Sequence, residues 1–213
     1  MDIAEFKKLP IMGILRGVEP SVLEPLIEAI VSAGLKTIEI TMNTRDAALL
    51  IRQAVKAAAK RLCIGAGTVL DLGSLKSVLD AGATFIVTPV LVKEVTGYCL
   101  KNKIPVFPGA LTPQEIYDAW QAGAAMVKVF PAKVFGPGYF KELKGPFNNI
   151  ELLACGGITA ENMRSYFENG ASAVSFGASV FKKELLNKRD FKGIALNINT
   201  YLSGFSRSVI AGS

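Results

Sequence analysis

The sequence predicts an α/β fold, a single-domain (β/α)8 TIM barrel. Three observations carry that expectation. Eight short apolar segments alternate with amphipathic ones from end to end, and strands alternating with helices imply parallel βαβ units. Glycine pairs close the amphipathic segments just before a strand, at Ala33-Gly34, Ala81-Gly82, Ala122-Gly123 and Asn169-Gly170; glycine past a helix end takes the left-handed cap at little cost. Helix starts are marked as well. Thr112-Pro113 with Glu115, and Thr159 with Glu161 and Asn162, read as N-caps with acidic first turns. Eight such units in 213 residues make one compact barrel. The competing arrangement is an open doubly wound sheet, which needs a reversal of strand order that sequence does not display.

The strand candidates span residues 11–16, 37–43, 63–69, 85–90, 105–111, 126–132, 151–157 and 173–179. The second alternates strictly. Ile38, Ile40 and Met42 share one face, and Thr37, Glu39, Thr41 and Asn43 share the other. Helices cover the outside of a barrel with apolar contacts, so the polar face points in and carries Glu39 with it. The third candidate ends in Gly65-Ala66-Gly67-Thr68, the fourth in Thr88-Pro89, and the fifth in Pro108-Gly109.

The sixth candidate, Met126-Val127-Lys128-Val129-Phe130-Pro131-Ala132, is short, β-branched and aromatic, and holds a charge at its centre. Desolvating an ammonium costs several kcal/mol or drives the proton off. A deprotonated lysine is a nucleophile that forms Schiff bases with carbonyl substrates. The competing reading of Lys128 is a side chain that reaches solvent or a partner carboxylate. Together with Glu39, it forms either a structural ion pair or a nucleophile and its acid–base partner.

The seventh and eighth candidates end in Cys155-Gly156-Gly157-Ile158-Thr159 and Phe176-Gly177-Ala178-Ser179. Barrels often bind phosphate between these two loops, through backbone N–H groups and a helix N-terminus. Both stretches also read as tight turns between strand and helix. After Ala178 the chain reads as a C-terminal helical extension over about 180–213, with 207–213 expected to fray.

Composition narrows the chemistry. The chain has no histidine, which removes Ser-His-Asp and Cys-His mechanisms and the usual zinc sites. Acid–base work falls to Glu, Asp, Lys, Tyr or water. The net charge of +6 is spread without a basic run or interleaved aromatics, which argues for anionic small molecules and against nucleic acid. No apolar run reaches the length of a membrane span. The N-terminal segment lacks the apolar core of a signal peptide. Cys63, Cys99 and Cys155 show no CxxC spacing, and the expectation is a cytoplasmic protein.

Several stretches, in this order, resemble the KDPG/KHG aldolases, which act on 2-keto-3-deoxy-6-phosphogluconate and 4-hydroxy-2-oxoglutarate. They are Ile14-Leu15-Arg16-Gly17, Ile38-Glu39-Ile40-Thr41, Ile64-Gly65-Ala66-Gly67-Thr68-Val69, Val87-Thr88-Pro89, Pro108-Gly109, Lys128-Val129-Phe130-Pro131-Ala132, Gly136-Pro137, Lys144-Gly145-Pro146 and Gly156-Gly157-Ile158. The resemblance covers about residues 5 to 185. It implies a class I aldolase needing neither metal nor cofactor, on a (β/α)8 barrel, assembled as a homotrimer. Lys128 then matches the Schiff-base lysine and Glu39 the acid–base carboxylate. Thr68, Pro89 and Phe130 match the wall that holds pyruvate, and Gly156, Gly157, Gly177 and Ala178 match the phosphate site, with Ser179 beside them.

One position departs from the pattern. Many gluconate-type members carry arginine four residues after the glutamate, where this chain has Asn43. Asparagine there resembles the branch acting on the galactonate epimer. Arg16 is then the candidate for the keto-acid carboxylate, with Thr68 as a hydroxyl donor. Asn43 either faces the barrel mouth and biases the accepted hydroxyl configuration, or caps the helix beginning near Arg45-Asp46. Two other readings of the same barrel stand beside the aldolase: a metal-independent isomerase or epimerase of a phosphorylated sugar with Glu39 as base, and a non-catalytic binder of phosphorylated ligands.

Overall fold

The computed structural model describes the backbone of residues 1–211 and side chains as far as Phe205. The fraying expected of residues 207–213 therefore falls on side chains, and at 212–213 on backbone, outside the described residues. The chain opens with a short helix, α1 (Ile3–Lys8), and then runs as strand–helix units. The strands are β1 (Ile11–Leu15), β2 (Thr37–Thr41), β3 (Cys63–Gly67), β4 (Ile86–Val87), β5 (Val106–Phe107), β6 (Gly109–Ala110), β7 (Val127–Val129), β8 (Leu152–Cys155) and β9 (Ala173–Phe176). The helices that cover them are α2 (Pro20–Ser32), α3 (Ala47–Ala58), α4 (Leu72–Asp80), α5 (Lys93–Lys101), α6 (Pro113–Gln121), α7 (Pro137–Lys144), α8 (Met163–Glu168), α9 (Lys183–Asn187) and α10 (Phe191–Ala211).

All pairings are parallel, in the order β5-β4-β3-β2-β1-β9-β8-β7-β6. The single strand expected over 105–111 is divided into β5 and β6 at Pro108, which has no N–H to donate. Its carbonyls nevertheless serve both neighbours. Ile86 N–H donates to Pro105 O and Thr88 N–H to Phe107 O, while Ala125 N–H donates to Val106 O and Lys128 N–H to Pro108 O. This segment joins β4 to β7, so the sheet is a barrel of eight positions and not an open doubly wound sheet.

Strand parity sorts the side chains as the alternation in β2 requires. Ile38 and Ile40 pack outward with Leu26 and Ile27 of α2 and Leu50 of α3. The barrel interior is filled by Met12, Phe85, Val87, Phe107, Met126 and Leu153. Phe6 of α1 closes the lower end, meeting the Phe107 ring edge-on with centroids 6.0 Å apart. Nothing in the strand–helix alternation announces α1. It is held by Asp2, whose side chain accepts from the N–H groups of Ala4 and Glu5.

The strands are shorter than the apolar segments that encode them. β2 ends at Thr41 because Thr44 N–H turns back to Thr41 O at 2.9 Å. The C-terminal α10 packs against α2 and α8, and so supplies the eighth outer helix of the ring. No residue of α9 is buried. No helix among the described residues is long and apolar enough to cross a membrane.

Candidate active site

A cavity of about 1080 Å³ opens among the loops that follow the strands. Active sites of these barrels lie on that face. Lys128, the central residue of β7, reaches it from inside the barrel: the residue is only 7% exposed, yet it lines the cavity. The Nζ stands 5.3 Å from the centroid of the Phe130 ring, which holds the cation from one side. The register pairs Lys128 with Gly109 on β6 and Leu153 on β8.

Glu39 of β2 lies deeper, 1% exposed, with Oε2 lacking any hydrogen-bond partner among the described residues. Burial pushes its carboxyl above the ordinary carboxylate range, and the charges of Lys128 and Arg16 pull it part of the way back. The site therefore combines a primary amine with an acid held toward its protonated form. The room for it comes from β3. A Cβ on Gly67 would lie 2.7 Å from the Glu39 carboxyl carbon, and one on Gly65 would lie 2.4 Å from the Phe85 ring. The Gly-Ala-Gly stretch thus works inside the strand as well as at its end.

Arg16, Thr68, Pro89 and Phe130 all line the cavity, as do Gly156, Gly157, Gly177, Ala178 and Ser179. Thr68 holds φ at +59°, a left-handed conformation that costs a β-branched residue energy and fixes this stretch of wall. Gly156 and Gly157 follow one another at φ +92° and +83°, a conformation glycine takes without a steric penalty. Ser179 Oγ donates to Ile158 O at 3.2 Å and accepts from Tyr201 of α10 at 2.8 Å. Its proton is committed to the protein, so an anion at this loop must be met by backbone N–H groups and neighbouring cations.

Asn43 is not brought to the cavity. It is exposed in the turn after β2, beyond the last residue whose parity the strand controls. Nor does it cap α3, whose N-cap position is Asp46.

Other residues at the site were not singled out by sequence. Cys155 and Ser175 line the cavity, and the Cys155 thiol is within hydrogen-bonding reach of both Ser175 and Lys128. Burial pushes that thiol up, with Lys128 opposing. Their positions on β8 and β9, in step with inward-facing Leu153 and Ala173, were a usable signal. Lys133, Lys183 and Arg189 also line the cavity; no local pattern marks the last two.

A closed parallel barrel with a buried amine lining the cavity at its mouth, and a carboxyl buried in the interior whose pKa burial raises, suits a barrel enzyme that acts on carbonyl compounds. Comparison with known proteins makes this narrower: the chain belongs to the KDPG and KHG aldolase family, whose model matches residues 3–196. It is 32% identical over 195 residues to the 2-dehydro-3-deoxy-6-phosphogalactonate aldolase of Escherichia coli (strain K12), covering 91% of this chain and 95% of that one. It is 36% identical over 163 residues to the 2-dehydro-3-deoxy-phosphogluconate aldolase of Pseudomonas aeruginosa, covering 76% and 72%. Among solved structures, native KDPGal superposes with a TM-score of 0.88 at 30% identity, over 95% of this chain and 97% of that one. The KDPG aldolase of Legionella pneumophila, solved with pyruvate captured as a covalent carbinolamine, superposes at 0.84 with 25% identity, over 93% and 97%. The chain is accordingly an aldolase, a carbon–carbon lyase.

Proposed function

We propose that this aldolase cleaves a 2-keto-3-deoxy-6-phospho-sugar acid to pyruvate and glyceraldehyde 3-phosphate through a Schiff base on Lys128. The observation that carries the reading is the pairing of Lys128 with Glu39 inside one barrel, in a chain without histidine. Once its ammonium has passed a proton to water, the Lys128 amine adds to the C2 carbonyl and forms a carbinolamine. Loss of water, with a proton supplied by Glu39, gives the protonated imine. That imine accepts the electron pair of the C3–C4 bond as it breaks, leaving an enamine. The C4 hydroxyl proton passes to Glu39 through water as the aldehyde forms. Protonation of the enamine at C3 and hydrolysis release pyruvate and restore the amine. The same steps on 4-hydroxy-2-oxoglutarate yield pyruvate and glyoxylate.

In this reading Arg16 and Thr68 bind the keto-acid carboxylate and Pro89 and Phe130 complete the wall around pyruvate, which their common lining of the cavity supports. Gly156, Gly157, Gly177 and Ala178 bind the phosphate through backbone N–H groups in this reading, which their lining of the same cavity supports. The names of the relatives support both epimers of the substrate, gluconate and galactonate.

The test is trapping. Borohydride added with pyruvate should fix a covalent adduct on the Lys128 peptide, read by mass. An adduct on Lys133, Lys141 or Lys144 overturns the assignment, and no adduct at all overturns the Schiff-base route. A coupled pyruvate-release assay on both epimers and on 4-hydroxy-2-oxoglutarate then ranks the substrates.

We also place the protein in the cytoplasm as a homotrimer. Free Cys63, Cys99 and Cys155 support a reducing compartment. Val90, Val134 and Phe135, each more than half exposed in the segments that follow β4 and β7, support an apolar surface covered by assembly. Light scattering on the purified protein checks the mass.

A further inference from the structure

We propose that Lys133 is a further substrate-binding residue, a cation that holds the substrate phosphate against Gly157 and favours phosphorylated over unphosphorylated substrates. This rests on the phosphate-site reading given above. Lys133 lies in the short helical turn Ala132–Val134 that follows β7. Its N–H donates to Gly156 O at 3.0 Å. Its stem is laid across the second glycine: a Cβ built on Gly157 would fall 2.5 Å from Lys133 Cβ and 3.0 Å from Lys133 Cδ. Gly157 is therefore constrained twice, by a φ of +83° and by the lysine it carries.

The stem is packed, but the side chain as a whole is exposed and lines the cavity. Charge is unbalanced in the direction a phosphate needs. Arg16, Lys128, Lys133, Lys183 and Arg189 line the cavity, and Glu19 is the one carboxylate among its lining residues. No ion pair among the described residues engages these five cations. A phosphate monoester carries about −1.5 to −2 charges near neutrality. Backbone N–H groups of the glycine loops offer partial charges, and Lys133 adds the full charge that makes such bonds strong. The same cation has nothing to grip on a substrate that ends in an aldehyde or hydroxyl.

The experiment compares wild type, Lys133→Gln and Lys133→Arg as full-length enzyme. Kinetic constants are taken for 2-keto-3-deoxy-6-phosphogluconate and for its unphosphorylated counterpart, 2-keto-3-deoxygluconate, which ends in a hydroxyl, with inorganic phosphate as competitor. Lys133→Gln should lower the kcat/KM ratio of phosphorylated to unphosphorylated substrate about 10- to 100-fold, the worth of one charge-assisted bond. The loss should fall on KM, inorganic phosphate should compete more weakly, and Lys133→Arg should recover most of both. Where 2-keto-3-deoxygluconate is not turned over, the inhibition constant for phosphate carries the test. If phosphate does not compete in the wild type, the phosphate site and the role of Lys133 fall together. If phosphate competes equally well in wild type and Lys133→Gln, or if Lys133→Gln lowers kcat with KM unchanged, the role of Lys133 alone falls.

Discussion

The carboxyl of Glu39 occupies the space above Gly67 that any other residue's Cβ would fill, with only 2.7 Å between that Cβ position and the carboxyl carbon. Gly67 sits on β3 opposite Thr41, while Glu39 itself pairs with Gly65. A buried acid and the missing side chain of the next strand form one unit, and the catalytic proposal depends on that fit.

Gly67→Ala should move the carboxyl without removing it. A displacement of about 1 Å at a catalytic group costs on the order of 100-fold in rate. Turnover should fall by about that factor, while long incubation with pyruvate and borohydride still labels Lys128. Wild-type turnover in this variant would show that Glu39 is not the proton carrier.

Glu39→Gln tests both activity and linkage. Burial raises the Glu39 carboxyl, so the folded chain keeps a proton that the unfolded chain gives up. The stability due to protonated Glu39 is present at low pH and is lost as pH rises from the ordinary carboxyl value through the raised one. Glutamine does not titrate. The melting temperature of Glu39→Gln minus that of wild type should therefore widen from acid toward neutral pH, while turnover drops by about two to four decades. A constant difference across that range would contradict the raised carboxyl.

Gly65→Ala should damage the fold before the chemistry. Its methyl would meet three Phe85 ring carbons at 2.4 to 2.5 Å, and Phe85 is fully buried. Overpacking of this kind costs about 1–3 kcal/mol. Thermal unfolding should show a loss of about 2–4 °C for each kcal/mol. An unchanged melting temperature would mean that the barrel interior has slack around Phe85.

Thiol alkylation should separate the cysteines. Burial pushes Cys99 up to about 11 and also raises Cys155, while Cys63 is partly exposed. Iodoacetamide at mildly alkaline pH should modify Cys63 first in the native enzyme, and all three only in denaturant. Rapid native labelling of Cys155 would instead show that its buried thiol is reached by reagent through the cavity and activated by Lys128.

What the sequence determined by itself is what local spacing controls. Eight apolar segments, glycine caps and the capping box at Thr112 and Glu115 set the strand–helix alternation. Alternation within β2 put Ile38 and Ile40 outside and Glu39 inside, because a strand sends successive side chains to opposite faces. The charge within an apolar strand marked Lys128 as unusual, and the likeness of Lys128-Val129-Phe130-Pro131-Ala132 to the aldolase motif gave it a role. Tertiary structure decided what depends on residues far apart in the chain. Closure of the barrel hangs on which carbonyls of 105–110 face which neighbour. Asn43 left the cavity because the backbone turned at Thr44 before strand parity reached it. Phe6 fills the base of the barrel, Gly65 and Gly67 yield space to Phe85 and Glu39, and α9 brings Lys183 and Arg189 to the mouth. Apart from the local turn at Thr44, each of these joins elements far apart in the chain, and periodicity along one strand carries no record of its neighbours.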